Sequence, residues 1–140
     1  MIREARLNDY EEIQNICEHD LGYKCDRELV KERLANLDND RECVFVADKD
    51  NKVIGFIHVE KYDILYASSM VNVLGLAVLD EFRKQGIGKK LLSKAEEWAK
   101  SKGIAMMRLN SGITRKDAHE FYRNVGFDNE KTQLRFIKSL

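Results

Sequence analysis

Apolar residues along this chain follow two spacings, and each change from one to the other marks a new element. The run Val71-Asn72-Val73-Leu74-Gly75-Leu76-Ala77-Val78 is almost continuously apolar, as a strand buried on both faces is. Leu91, Leu92, Ala95, Trp98 and Ala99 instead recur at helical intervals. The pattern predicts a first strand at 2–7, then a helix opened by Asn8 or Asp9 that carries Ile13, Ile16 and Cys17 on one face and stops at 21–23. A second helix starts at Asp26, turns Leu29, Val30, Leu34 and Leu37 inward, and breaks at the polar run 38–40. Segments 43–47 and 53–59 flank a turn-forming stretch at 48–52, which is a hairpin signal. Residues 60–69 are polar and aromatic and read as a loop or strand edge before a strand at 70–79. The amphipathic helix runs to Lys102 with Gly103 as its stop, and a strand follows at 104–110. A strand-helix-strand connection of this length makes those two strands parallel. A loop at 111–115, a short helix at 117–124 stopped by Gly126, and strand material at Phe127 and 132–137 complete the order. The class is α/β, with a mixed sheet covered by helices on both faces.

Composition narrows the function classes. A chain of 140 residues suits one domain, 1–140, that buries about two thirds of its unfolded surface. The 24 basic residues balance the 24 acidic ones, so bulk charge favours no nucleic-acid partner. Cys17, Cys25 and Cys43 lack the paired spacing of a zinc site, and Cys17 with His19 has no second pair to complete a tetrahedral set, so no metal is expected. Free thiols point to a reducing compartment, and no apolar signal core or bilayer-length run appears, which places the chain in the cytoplasm without membrane association.

The candidate chemistry begins at Arg83-Lys84-Gln85-Gly86-Ile87-Gly88-Lys89-Lys90, where strand becomes helix. The first N–H groups of a helix are unpaired and carry partial positive charge, so glycines that allow close approach make an anion site. The glycines alone serve equally well to relieve crowding at a tight turn. The spacing matches neither a dinucleotide fingerprint nor a triphosphate-binding loop. Arg83, Lys84, Lys89 and Lys90 crowd both sides of the glycines and favour a phosphate, although a solvated helix face would look similar.

Leu76-Ala77-Val78 followed by Phe82-Arg83-Lys84-Gln85-Gly86-Ile87-Gly88 and Leu91-Leu92 resembles the central acyl-CoA motif of the GNAT superfamily of N-acetyltransferases. Downstream, Ala118-His119-Glu120-Phe121-Tyr122-Arg123-Asn124-Val125-Gly126-Phe127 resembles that superfamily's helix-and-turn motif. The resemblance implies a mixed, mostly antiparallel central sheet with a splayed parallel strand pair and helices on both faces. It also implies acetyl-CoA as co-substrate, with its pyrophosphate on the backbone of Arg83, Lys84, Gln85, Gly86, Ile87 and Gly88, helped by Lys89. Leu76, Ala77 and Val78 would present main-chain groups to the pantetheine arm, which hydrogen-bonds like an added strand. Asn110 would either bond the pantetheine or cap the following loop.

The family's tyrosine at this place in the motif protonates the departing thiolate, a role the resemblance carries to Tyr122; on composition alone Phe121 and Tyr122 read as core aromatics. A general base is not visible: Glu60, Asn72 through a water, His58 or a terminal carboxylate could each serve, and His119 shares a helix face with Tyr122 without an assigned role. Residues 21–26 and 60–69 would grip the acceptor, with Tyr23, Tyr62, Tyr66, Glu60 and Asp63 forming an aromatic, mildly acidic wall suited to a cationic amine. The expected function is direct transfer of acetyl to a primary amine of a small molecule or peptide. The competing expectation is a catalytically silent acyl-CoA-binding module. C-terminal strand edges leave a homodimer open.

Overall fold

The hairpin of β2 (Glu42–Lys49) and β3 (Lys52–Tyr62) turns on Asp50 and Asn51, whose φ values of 52° and 65° form the mirror-image turn that matches strand twist. The turn is tighter than the 48–52 loop expected, because Asp48 and Lys49 stay paired with Val53 and Lys52. The computed structural model describes residues 1–140, which form two compact units, Met1–Leu109 and Asn110–Leu140.

In the first unit the hairpin is the middle of a five-stranded sheet in the order β1-β2-β3-β4-β5. Strand β1 (Ile2–Glu4) pairs antiparallel with β2, β4 (Met70–Val78) antiparallel with β3, and β5 (Met107–Leu109) parallel to β4. The mixed, mostly antiparallel sheet is therefore as expected, but two strands are shorter than their apolar runs. After Glu4 the chain turns sharply, with Asp9 accepting the Arg6 N–H at 2.7 Å and ending strand geometry. Strand β5 stops at Leu109, where its pairing with Val73 ends. Of the two readings open for 60–69, Glu60, Lys61 and Tyr62 take the strand one, because Asn72, Val71 and Met70 face them across β4. Cross-strand pairing here overrides polar composition.

Helices α1 (Tyr10–Asp20) and α2 (Arg27–Ala35) cover one face and α3 (Ile87–Ser101) the other. Ile13 and Ile16 of α1 join Val44, Val46, Phe56 and Ala77 in one core cluster, with Val30 and Leu34 packed against it. Leu29, expected inward, is exposed. Asp26 caps α2 as its position suggested, accepting the Glu28 N–H at 3.2 Å. On the opposite pleat, a Cβ on Gly55 would meet Leu91 of α3 at 3.4 Å and the Ala77 carbonyl at 2.9 Å, so only glycine lets helix and strand approach this closely. Leu91, Leu92 and Ala95 are almost fully buried.

The second unit contains α4 (Lys116–Asn124), ended by Gly126 at φ 104°. Beyond it the expected strand at 132–137 does not form. A strand is defined by its ladder, and residues 127–140 find no ladder partner within this chain; Leu134, Phe136 and Ile137 stay exposed.

Candidate active site

Two irregularities of β4 make the site in the first unit. Its partners jump from His58↔Gly75 to Val59↔Val73, so Leu74 is an extra, bulged residue. One position earlier, at Val73↔Leu109, the parallel pairing with β5 has already ended. From Leu74 to Val78, β4 is thus paired with β3 alone, and its other edge is unpaired with any strand. An extended ligand with amide groups could complete that edge as a strand would.

This open edge leads to the start of α3. Lys84 and Gly86 both take left-handed φ, 61° and 81°, so the chain turns twice immediately before the helix begins. The first intrahelical bond is Lys90 N–H to Gly86 O at 3.0 Å, so the donors of Ile87, Gly88 and Lys89 precede it. A Cβ on Gly86 would meet nothing within 4 Å, which leaves open space above the turn. No acidic residue occupies the first turn, and Lys84, Lys89 and Lys90 are exposed around it. Lysines at a helix N-terminus oppose the macrodipole, each by about 0.3–1 kcal/mol, unless an anion sits between them. The residues present therefore fit a diphosphate.

Arg83 has a different setting from its lysine neighbours. Its guanidinium reaches Asp20 at 3.1 Å and Asp80 at 2.6 Å, and its Nε donates to the Val78 carbonyl at 3.1 Å. The side chain ties the loop to the end of α1 and to β4, so any contribution of Arg83 to an anion would come from its backbone. Burial pushes the Asp20 carboxyl above its ordinary pKa, with Arg83 pulling it back in part.

On the pleat that carries Phe56 and Ala77, the sheet turns polar as it approaches the parting of β4 and β5. His58 pairs with Glu42 at 2.7 Å. Glu60 accepts from Asn72 Nδ2 at 3.0 Å, and Arg108 Nη1 donates to Asn72 Oδ1 at 2.8 Å, with the Arg108 guanidinium 4.6 Å from the Tyr62 ring centre. Glu60, Asn72 and His58 were base candidates from sequence; Arg108 was not singled out. Only the strand register brings it into the row. Tyr62 is half-buried under Arg108, whereas Tyr23 and Tyr66 are exposed.

In the second unit Tyr122 is half-buried between Phe121 and Phe127, with ring centres at 5.5 Å and 5.7 Å in edge-to-face geometry. Burial raises its phenol pKa, partly offset by Arg115, so the hydroxyl is a proton donor over a wide pH range. His119 holds the Gly112 carbonyl at 2.9 Å, a loop-fixing role. Asn110, exposed, opens this unit. The thiols of Cys17 and Cys43 are each pushed up to about 11 by burial, which leaves them protonated and poorly nucleophilic near neutral pH. No helix is long and apolar enough to cross a membrane.

Comparison with known proteins places this geometry. A model of the acetyltransferase (GNAT) family matches residues 2–127. An aminoalkylphosphonate N-acetyltransferase of Salmonella typhimurium is 31% identical over an alignment covering 99% of this chain and 90% of that protein. An uncharacterized N-acetyltransferase of Chlorobaculum tepidum is 33% identical, over 90% of this chain and 74% of its own. An aminoglycoside acetyltransferase from an uncultured soil metagenomic sample, solved with trehalose, superimposes with a TM-score of 0.83 at 25% identity, over 100% of this chain and 95% of that one. An aminoglycoside N-acetyltransferase solved in complex with CoA shares the fold, with a TM-score of 0.83 at 20% identity and 100% of both chains covered.

Proposed function

The chain belongs to the GNAT acetyltransferase family and is an N-acetyltransferase; on that premise we propose that it transfers acetyl from acetyl-CoA directly to a primary amine of a small molecule. The observation that carries this reading is the junction of the open β4 edge with the acid-free, glycine-turned start of α3. The family match across residues 2–127 supports treating 1–140 as one functional domain.

Each residue then has a defined task. The backbone N–H groups around Gly86, with Lys84 and Lys89, hold the diphosphate of the co-substrate, which supplies an activated acetyl thioester when bound. Main-chain groups of Leu76, Ala77 and Val78 hold the pantetheine amides, the Val78 carbonyl also accepting from Arg83. The bulge at Leu74 ends this run of backbone, so the thioester lies near the polar row of Glu60 and Asn72. Tyr122 donates its proton to the departing thiolate, an assignment supported by the motif of residues 118–127. The acceptor, present as an ammonium, first loses a proton; its nitrogen then bonds the acetyl carbon as the carbon–sulfur bond breaks, and one proton in all is released. The raised thiol pKa values of Cys17 and Cys43 fit direct transfer without an acyl-enzyme.

We also assign the exposed Leu134, Phe136 and Ile137 to a contact with a second copy, and the free thiols to a cytoplasmic setting. Thiol release from acetyl-CoA, measured across amine classes, tests the activity. Release that depends on an added amine supports transfer; tight acetyl-CoA binding without release in any case would mark a silent module.

A further inference from the structure

Cys17 lies on α1 and Cys25 in the connection to α2, yet the fold brings their thiols into a shared side-chain hydrogen bond. Main-chain and side-chain contacts make that meeting. Gly22 takes a left-handed φ of 73° just after α1, and the Tyr23 N–H closes back on the Cys17 carbonyl at 3.2 Å. The chain then returns along the helix it has just left. Gln14, buried one turn before Cys17, donates from Nε2 to the Cys25 carbonyl at 2.9 Å and accepts from Arg27 Nε at 3.3 Å. Segment 21–25 is therefore held beside one turn of α1, with a thiol on each side of the join.

The two thiols are half-buried, so a small oxidant can reach them. Cys43 is set apart from this pair. Its neighbour Val44 packs in the core cluster with Ile13 and Ile16 of α1, so the Cys43 side chain points to the other pleat of β2.

We propose that Cys17 and Cys25 form a dithiol modification site, which a low-molecular-weight disulfide oxidises to an intramolecular bridge that clamps segment 21–25 onto α1. Cys25, on the connecting segment, attacks a sulfur of the oxidant as thiolate and releases one small thiolate. Cys17 then attacks the Cys25 sulfur of the mixed disulfide, and the new sulfur–sulfur bond forms as the second small thiolate leaves. The two cysteine protons end on the two released thiols, and the two electrons lost by the cysteines reduce the oxidant's disulfide bond. Burial and the adjacent Cys25 push the Cys17 thiol up to about 11, which slows its encounter with free oxidant. The second step is intramolecular, and contact offsets the small thiolate fraction. The site does not depend on acetyl transfer.

The test incubates the folded protein with glutathione disulfide, blocks the remaining thiols in acid and maps the peptides by mass spectrometry. Two of the three thiols should be lost, with Cys17 joined to Cys25, no glutathione retained and full reversal by dithiothreitol. Cys17→Ser should instead accumulate a glutathione adduct on Cys25. Lys24, exposed inside the closed loop, reports the clamp: trypsin should cut after it at least about threefold more slowly in the bridged protein than in the reduced one. Cys25→Ser carried through the same treatment should show no slowing. Retention of all three thiols, a persistent glutathione adduct on the parent, a bridge that includes Cys43, or equal cleavage at Lys24 in bridged and reduced protein would each overturn the inference.

Discussion

Arg83 and Asp20, 63 residues apart in sequence, meet at 3.1 Å and fasten the end of α1 to the loop that opens α3. The contact is asymmetric: the Asp20 side chain is 5% exposed and that of Arg83 is 49% exposed. Burial raises the Asp20 pKa above its ordinary 3.8 despite Arg83, so the ionised carboxylate is carried at a net cost. A raised carboxyl pKa contributes stability below about pH 3.8 that is lost as pH rises through the folded value. Asp20→Asn should therefore match or slightly exceed the parent in thermal midpoint at pH 7, the difference vanishing below the unfolded pKa. With the tether weakened, KM for acetyl-CoA should rise about threefold to tenfold while kcat changes little. Melting curves at two pH values and initial rates check both parts.

Asp9 shows the opposite sign. Burial pushes its pKa up, but the Arg3 side chain and the Arg6 N–H more than offset this and hold it below the ordinary carboxylate range. Arg3 grips both Asp9 oxygens, at 2.9 and 3.0 Å, and Asp48 at 3.0 Å, so one guanidinium joins the first turn before α1 to the end of β2. A depressed pKa contributes stability present above about pH 3.8 and lost as pH falls through the folded value. Asp9→Asn should cost about 2–4 kcal/mol in urea unfolding at pH 7, and the cost should shrink as pH falls below 3.8 toward the folded value. A cost independent of pH would mean the ion pair is not its source.

Tyr122→Phe should keep acetyl-CoA affinity within about twofold and lower kcat by about tenfold or more, because only the hydroxyl is lost from an aromatic cluster that stays filled. Calorimetry and steady-state rates separate the two effects. Unchanged turnover would take Tyr122 out of the mechanism.

Replacing Cys17 and Cys25 by Ser and Cys43 by Ala should each leave kcat within about twofold, since the half-buried Cys17 and the buried Cys43 are held as thiols near neutral pH and Cys25 lies in the connection before α2. Mass spectrometry after mixing with acetyl-CoA should find no acetylated cysteine. A stoichiometric acetyl-cysteine that disappears when amine is added would establish a two-step route.

Much of this was legible in the chain because local physics dominated locally. The periodicity of Leu91, Leu92 and Ala95, the Asp26 cap and the glycine turn at Gly86 all act within a few residues of themselves. What the sequence hid depends on register. Glu60 reads as loop or strand edge because its own neighbours are polar, and Arg108 drew no notice until β5 set it beside Asn72. The side-chain role of Arg83 was hidden for a similar reason, as its partner Asp20 lies on another element. The C-terminal alternation of Leu134 and Phe136 looked like a strand, but propensity without a partner makes no ladder.

The central claim is that the start of α3 anchors the diphosphate end of the co-substrate. Calorimetric titration of the unmodified protein with acetyl-CoA and with acetyl-pantetheine, which shares the thioester and the amide arm but lacks the diphosphate, tests it without any mutation. The account predicts that acetyl-pantetheine binds at least about a hundredfold more weakly. Equal affinities would contradict it.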